Sequence, residues 1–472
     1  MDTVVNLTKS PQFWLISALT AVLLVFIMVA AGSMFYFAIP AIGLAALGVA
    51  ISIRYPKLLV LFIFVSAAAL FENPEGMTLQ GGMHYALSVL AFTLGVIPLA
   101  ITNKLPARTP VDYSILLLIG FVVYGVALGF VVGDETTRTI AEIAYFAPLL
   151  PFFLYRYFFA DLQFQKLFGI ALLFMGIAVL AINLYNYQAL LAEAVLDWQY
   201  QLARVPRNEV MLLLGCSFFI AAIGVTRQFY LKVIMIGMLG IFLVGLVLTH
   251  SRGYYLALLT SAFAMFLIAD RRTKWHLILT GLVMIGSAVF IAMIFFADLF
   301  SVVYNAMIDR INLAQFGQLD RSLQERVIET QTVWEKIVAN PIAGYGLGTT
   351  YLRYSIIQGI HHASSYIHNG YLAVWFKFGF FGFAAFMFLL YALLKQCRAI
   401  YHNSTQKPVK AFALSGFGTV AGMMVVNITS PQFLAFTNML VFVIIAVFAS
   451  HYYDQLRKSG GTPDEDGQEL SS

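Results

Sequence analysis

The sequence predicts a polytopic membrane protein built from α-helices. Of its 472 residues, 61% are hydrophobic and only 11% are charged, whereas a soluble globular protein has roughly 25% charged residues. The apolar residues come in uninterrupted runs of about 20, the length that crosses a bilayer as a helix. They do not form the short alternating segments of an outer-membrane barrel. This composition argues against a soluble enzyme, a nucleic-acid-binding protein and a disordered chain.

About fourteen apolar runs follow one another along the chain, and each predicts a membrane-spanning helix. One run is short, and only Ser430-Pro431 separates the last two, so the expected number of helices is twelve to fourteen. The runs cover residues 12–31, 34–53, 57–71, 83–102, 112–132, 140–159, 167–190, 209–226, 231–249, 254–269, 275–297, 369–394, 411–430 and 432–450.

The basic residues predict the orientation. If the N-terminus is cytoplasmic, 18 of the 28 Lys and Arg residues lie on the cytoplasmic side and 9 on the outer side, while Lys377 lies within a span. Basic residues are enriched in cytoplasmic loops, so both termini are expected in the cytoplasm. This bias accounts for the net charge of +5 without a nucleic-acid partner.

Loop lengths divide the chain into four parts. Residues 1–297 hold helices 1–11, residues 298–368 form one long outer loop, residues 369–451 hold helices 12–14, and residues 452–472 form a disordered cytoplasmic tail. The long loop contains a predicted amphipathic helix from Arg321 to Asn340, which Pro341 ends. This helix is expected to lie on the membrane surface or to cover a site as a lid. Its predicted apolar face consists of Leu323, Val327, Thr330, Trp334, Ile337 and Val338.

The loop has two further features, one on this helix and one after it. Glu325 and Glu329, one helical turn apart, are expected on the solvated face. After Pro341, the segment Gly344-Tyr345-Gly346-Leu347-Gly348 predicts a flexible, turn-rich connection.

Several arginines are candidates for binding an anion at the outer face. Arg252 stands between two apolar runs, where a guanidinium is costly and often functional, and its fork suits phosphate oxygens. Ser251 beside it allows close approach of the backbone. Arg252 could instead be an interfacial anchor. Arg326 is either a second phosphate ligand or a surface charge paired with Glu325 or Glu329. Arg321 in the same loop and Arg204 in another outer loop are further candidates.

Histidines cluster before the next apolar run, where His361, His362 and His368 fall within eight residues. His368 is placed at the membrane face, where a neutral imidazole could take a proton from a sugar hydroxyl. A metal site is disfavoured because no acidic residue stands nearby in the sequence. A purely structural histidine is the other interpretation.

These motifs, taken in order, resemble the O-antigen ligase/polymerase superfamily of bacterial envelope glycosyltransferases. Ser251-Arg252-Gly253 opens a span, Arg326 lies on the loop helix, Pro341 to Gly348 follows, and His368-Asn369-Gly370 enters the next span. The resemblance covers the stretch from about residue 210 to about residue 385. The sequence departs from the family at Thr330, where the family has Trp, and Trp334 follows one turn later. Arg321 is the alternative to Arg326.

The resemblance implies a GT-C-like membrane fold in the bacterial inner membrane, with the active site on the periplasmic side. It implies an undecaprenyl-pyrophosphate-linked glycan as donor, a glycan or lipid A-core as acceptor, and inverting transfer without a metal or other cofactor. Arg252 and Arg326 would bind the pyrophosphate, His368 would be the base, and Asn369 would support it. Flippase and chain-length regulator proteins are the implied protein partners.

Within this family we expect a repeat-unit polymerase of O-antigen or exopolysaccharide, and an O-antigen ligase is the alternative. A transporter or flippase of lipid-linked sugars is the rival from another class. A transporter should carry ionisable residues within its spans, and Lys377 and Glu142 are nearly the only candidates here.

Overall fold

The computed structural model describes residues 56–66, 79–133, 136–193, 208–249, 251–279, 281–282, 321–355 and 359–460. The predicted spans 12–31 and 34–53, most of 275–297, Arg204 and the tail from residue 461 lie outside the described residues. Within these ranges, seven helices are long and apolar enough to cross a membrane. The predicted class, a helical polytopic membrane protein, is therefore confirmed.

The helices are numbered here in chain order. Their bounds are α1 Pro56–Ser66, α2 Leu79–Ala91, α3 Ile97–Ile101, α4 Pro110–Val132, α5 Thr136–Tyr145, α6 Phe152–Phe158, α7 Leu162–Glu193, α8 Glu209–Val225, α9 Phe229–Leu248, α10 Arg252–Ile268, α11 Arg321–Ala339, α12 Gly370–Asn403, α13 Lys407–Val426 and α14 Phe436–Lys458. A π-helical stretch, Phe92–Val96, joins α2 to α3, and Ala147–Leu149 and Gln432–Leu434 form short 3₁₀ turns.

The predicted span at 140–159 is wrong as a single helix. The chain there forms α5, a 3₁₀ turn and α6. Pro148 and Pro151 lack the N–H groups that a continuous helix needs at these points. Of the nine other runs between 112 and 450, 275–297 lies mostly outside the described residues, and each of the remaining eight coincides with one helix. Helix α12 continues past its predicted end to Asn403.

The long loop contains a β-hairpin that the sequence did not predict. Strands β1 (Tyr351–Ser355) and β2 (Ile360–Ser364) pair antiparallel, with Arg353 opposite His362. The predicted amphipathic helix is present as α11.

Small residues let the central helices approach closely. A Cβ on Gly418 of α13 would lie 2.6 Å from Ser261 Oγ of α10, and one on Gly422 would lie 2.6 Å from the carbonyl oxygen of Ala257. Interfaces of this kind allow tight packing between membrane helices. Helix α10 therefore packs closely against α13. Helix α14 is buried within the bundle.

A polar cluster fastens one end of the bundle. The buried Arg156 donates to Ser450 Oγ (2.8 Å) and Asp454 Oδ2 (3.1 Å) of α14. Arg108 lies 4.0 Å from the same Asp454 carboxylate. Near the C-terminal end of α12, the hydroxyl of Tyr401 accepts a hydrogen bond from the backbone N–H of Asp270 (3.1 Å).

The segment Pro341–Gly348 is inserted between α4 and α12. Helix α12 is broken at Gly379, which has φ 68°, and the carbonyl groups of Phe376 and Lys377 accept the N–H groups of Tyr345 and Gly346 at 2.8 and 2.9 Å. On the other side, Leu347 N–H donates to the carbonyl of Gly125 in α4 at 2.8 Å. Non-helical backbone is tolerated among membrane helices only where its polar groups find partners.

We predict that Gly379→Ala destabilises the protein. A Cβ at Gly379 would lie 1.9 Å from the carbonyl oxygen of Ile342, and the positive φ disfavours a side chain. Backbone strain of this kind costs about 1–3 kcal/mol before the clash is counted. The measurement is the unfolding temperature in detergent. Gly169→Ala in α7, where no atom lies within 4 Å of the new Cβ, is the control and should leave the unfolding temperature unchanged or raise it. An equal loss in both variants would contradict the prediction.

Candidate active site

A carboxylate on α11 holds His368 by two contacts. Oε1 of Glu329 accepts the backbone N–H of His368 at 2.5 Å, and Oε2 lies 2.7 Å from Nδ1 of the ring. Glu329 is only 2% exposed. A carboxylate at Nδ1 fixes the proton on that nitrogen, so Nε2 is the nitrogen that can accept a proton. In the described part of the chain, Nε2 makes no hydrogen bond.

The expectation that Glu329 belongs to a solvated face is wrong. Glu329, Val333 and Ile337 are all buried, and their spacing of four residues puts them on one face of α11. Val327, Trp334 and Val338, which were assigned to the buried face, are 51%, 46% and 59% exposed. The expected absence of an acid near the histidines is also wrong, because the acid comes from a residue 39 positions earlier. The four-residue spacing of Glu329, Val333 and Ile337 was the signal that could have identified the buried face of α11, and with it this acid.

Arg353 on β1 takes up the remaining carboxylate charge. Its guanidinium lies 3.5 Å from Glu329 Oε2 and 3.5 Å from Glu325 Oε2. Glu325 is therefore not merely solvated. The two carboxylates that were the expected partners of Arg326 are engaged by Arg353 and His368 instead.

Arg326 consequently has no carboxylate partner among the described residues. Its Nε is buried and lacks a hydrogen-bond partner there. The interpretation of Arg326 as a surface charge paired with Glu325 or Glu329 is wrong. The guanidinium stands one turn from Glu329 with its hydrogen-bonding capacity unused by the described chain.

Tyr366 links these charged groups to the loop between α13 and α14. Its ring meets the ring of His368 edge-on at 5.0 Å. Partial burial raises the pKa of the Tyr366 phenol, which a hydrogen bond with Ser430 opposes, and Arg326, Arg353 and Glu329 all act on it electrostatically. The phenol therefore stays neutral at ordinary pH. Tyr366 therefore contacts His368 through its ring and lies within electrostatic range of Arg326.

Arg252 and His368 both stand within two residues of a glycine that contacts the end of α13, since Gly253 approaches Val426 and Gly370 bonds to Asn427. Arg252 is the first residue of α10, is exposed, and has no ion-pair partner in the described ranges. A Cβ on the adjacent Gly253 would lie 3.3 Å from Val426 at the end of α13. A cation at a helix N-terminus opposes the helix dipole, so an anion bound there would remove an unfavourable interaction.

The remaining residues predicted as supporting groups lie at helix starts, on the hairpin or outside the described side chains. Asn369 caps α12, where its Oδ1 accepts the N–H groups of Tyr371 (3.0 Å) and Leu372 (3.2 Å). Ser251 occupies the N-cap position of α10 without a side-chain cap bond. His362 is exposed on β2. Arg321 begins α11, and its side chain lies outside the described part, as does Arg204. No group of three His, Cys, Asp or Glu residues that could hold a metal ion occurs within the described ranges.

Lys377 and Glu142 form a buried ion pair beneath the site. Nζ of Lys377 lies 2.7 and 2.6 Å from the two carboxylate oxygens of Glu142, and Gly348 N–H donates to the same carboxylate at 2.8 Å. The pair therefore anchors the inserted segment. It also borders a small cleft whose other lining residues include Tyr366, Ile367 and Pro431.

Residues 237–387 match the model of a protein family described as O-antigen ligase. No curated protein matches the sequence significantly. The matched stretch begins within α9 and ends within α12, so it contains Arg252, Arg326, Glu329 and His368. The candidate site residues therefore lie within the stretch of the chain that is similar to this family.

We predict that Lys377→Met destabilises the protein strongly, by about 3–5 kcal/mol, because it leaves the buried Glu142 carboxylate without its counter-charge. The double variant Lys377→Met with Glu142→Gln should regain much of this loss. The measurement is the unfolding temperature in detergent of both single variants and the double variant. Lys407→Met, at an exposed position in the first turn of α13, is the control and should change little. Additive losses from the two substitutions would show that the pair is not coupled.

Proposed function

We propose, from the O-antigen ligase domain and its arginines, that the chain transfers undecaprenyl-pyrophosphate-linked glycan to an acceptor sugar hydroxyl at the periplasmic face. We propose further that it is a repeat-unit polymerase of O-antigen or exopolysaccharide. The observation that carries the proposal is the sorting of charges. Glu325 and Glu329 are engaged by Arg353 and His368, while Arg326 and Arg252 have no carboxylate partner among the described residues.

The proposed reaction is a direct displacement at the anomeric carbon of the donor. The acceptor oxygen forms a bond to this carbon as the bond to the pyrophosphate oxygen breaks. The hydroxyl proton passes to Nε2 of His368, and the electron pair of the broken bond leaves with undecaprenyl pyrophosphate. Glu329, hydrogen-bonded to Nδ1, stabilises the imidazolium that forms.

The two arginines stabilise the leaving group. Negative charge grows on the pyrophosphate as the glycosidic bond breaks, and guanidinium groups bind such oxygens in a bidentate manner. Removal of one donor of this kind costs about 2.7–4 kcal/mol of transition-state stabilisation in enzymes with oxyanion holes. Since pyrophosphate is already a good leaving group, the proposed mechanism needs no general acid.

The transporter alternative receives less support. Lys377 and Glu142, its main candidates for a polar path, bind one another and the backbone of Gly348. Their charges are balanced by one another and bonded to the inserted segment, so neither is left as a free charge for a transported ion or sugar. This arrangement favours an enzyme over a flippase.

We expect His368→Ala and Arg252→Ala to abolish or strongly reduce transfer without loss of stable insertion. The loss should be about 10²–10⁴-fold for the base and about 10²–10³-fold for each arginine. The measurement is release of undecaprenyl pyrophosphate by purified protein from lipid-linked glycan. Lys336→Ala on the exposed face of α11 is the control and should retain activity.

The same variants should be expressed in a strain from which the gene is deleted. Single repeat units on lipid A-core in the deletion strain indicate a lost polymerase, and unattached lipid-linked polymer indicates a lost ligase. Wild type and Lys336→Ala should restore the missing glycan. Full activity of His368→Ala and Arg252→Ala, or sugar flipping in liposomes without transfer, would overturn the proposal.

We further predict that Glu329→Gln lowers kcat by about 10²–10⁴-fold, with the donor KM little changed. An amide N–H opposite Nδ1 favours the tautomer with the proton on Nε2, which then cannot accept the hydroxyl proton. Steady-state kinetics test this expectation. Glu335→Gln, an exposed position on the same helix, provides the matched control. A rise in KM without a fall in kcat would argue against this role.

A further inference from the structure

We infer that Gln432 is a positioning residue between two helix starts. Its buried side-chain oxygen holds the first turn of α10, which carries Arg252, and its backbone N–H connects through Asn427 to the first turn of α12, which follows His368. The inference rests on the proposed function, because it assigns Arg252 and His368 to one reaction. Gln432 lies in the α13–α14 loop, which contacts both helices. It contacts neither proposed catalytic side chain and acts through its neighbours.

The connection to α10 is a shared acceptor. Tyr254, two residues after Arg252, donates its phenol O–H to Oε1 of Gln432. The same oxygen accepts Nδ2 of Asn438 at 2.9 Å. The three side chains are buried. A carbonyl oxygen that accepts two donors has both lone pairs engaged, so the orientation of the Gln432 amide is fixed.

The connection to α12 runs through Asn427. The backbone N–H of Gln432 donates to Asn427 Oδ1 at 3.0 Å, and the carbonyl oxygen of Asn427 accepts the N–H of Gly370 at 2.8 Å. A Cβ on Gly370 would lie 2.0 Å from Asn427 Oδ1, so the two segments are in direct contact. His368 stands two residues before Gly370.

This chain of hydrogen bonds sets the position of one charged group relative to another. Deeper in the bundle, Gly418 and Gly422 fix the axis of α10. The side chain of Ser251 does not cap its first turn, so Tyr254 supplies a side-chain anchor there. Displacement of a reacting or binding group by about 1 Å can cost about 100-fold in rate. The hydroxyl of Tyr254 therefore matters for where the guanidinium of Arg252 stands.

The test compares two adjacent tyrosines. Tyr254→Phe removes the bond to Gln432, whereas Tyr255→Phe removes a bond from an exposed hydroxyl to the carbonyl of Val247. In lipid nanodiscs, Tyr254→Phe should weaken binding of undecaprenyl pyrophosphate by about five- to tenfold, the effect of one buried hydrogen bond. Tyr255→Phe should bind as wild type. Gln432→Leu should weaken binding at least as much as Tyr254→Phe.

A double variant shows whether the effect passes through Arg252. If it does, Tyr254→Phe should add nothing in the Arg252→Ala background. Equal weakening in both backgrounds, or no weakening in either, would overturn the inference. If Arg252→Ala itself leaves binding unchanged, the proposed function fails at Arg252.

In that case a readout without ligand decides the inference. Amide hydrogen exchange at residues 368–372 should be faster in Tyr254→Phe and Gln432→Leu than in wild type and Tyr255→Phe. Unchanged exchange there would overturn the coupling between the two helix starts, whatever the function of the protein.

Discussion

The inserted backbone of Pro341–Gly348 is the constraint on which the rest of the described structure depends. A segment without helical hydrogen bonds can lie among membrane helices only if its neighbours supply donors and acceptors. Helix α12 breaks at Gly379, and its carbonyl groups accept N–H groups of the segment. The Glu142 carboxylate accepts the N–H of Gly348, with Lys377 as its counter-ion. The insertion fixes the C-terminal end of α11, and hence the height at which Glu329 meets His368.

The candidate site is defined by which acidic residues pair with which basic ones. Glu329 takes both the backbone and the ring of His368, and Arg353 balances the two acids of α11. This arrangement separates the basic residues into two groups, one that holds the protein together and one that has no acidic partner within the described ranges. Only the second group has guanidinium capacity to give to a substrate, and it contains Arg252 and Arg326.

Much of this could be predicted from the sequence, for physical reasons that also explain what could not. Uninterrupted apolar runs identify helices such as α4 and α13 because length and hydropathy are local properties. The proposed site residues Arg252, Arg326 and His368 stand in motifs that the local sequence contains. Glu329 was misassigned because hydropathy alone gave the wrong face of α11. Its burial depends on partners from β1 and from the start of α12, which local periodicity does not contain. The pairing of Lys377 with Glu142, 235 residues apart, is a tertiary contact of the same kind.

The length of α10 has a consequence for the surrounding lipid. Its 17 residues give a helix about 25 Å long at 1.5 Å per residue, whereas the hydrocarbon core of a bilayer is about 30 Å thick. Such a hydrophobic mismatch is relieved when the bilayer thins locally. Local thinning around α10 would bring the lipid headgroups nearer to Arg252 at its N-terminal end. A lipid-borne diphosphate could then reach the guanidinium while its polyprenyl chain stays in the membrane.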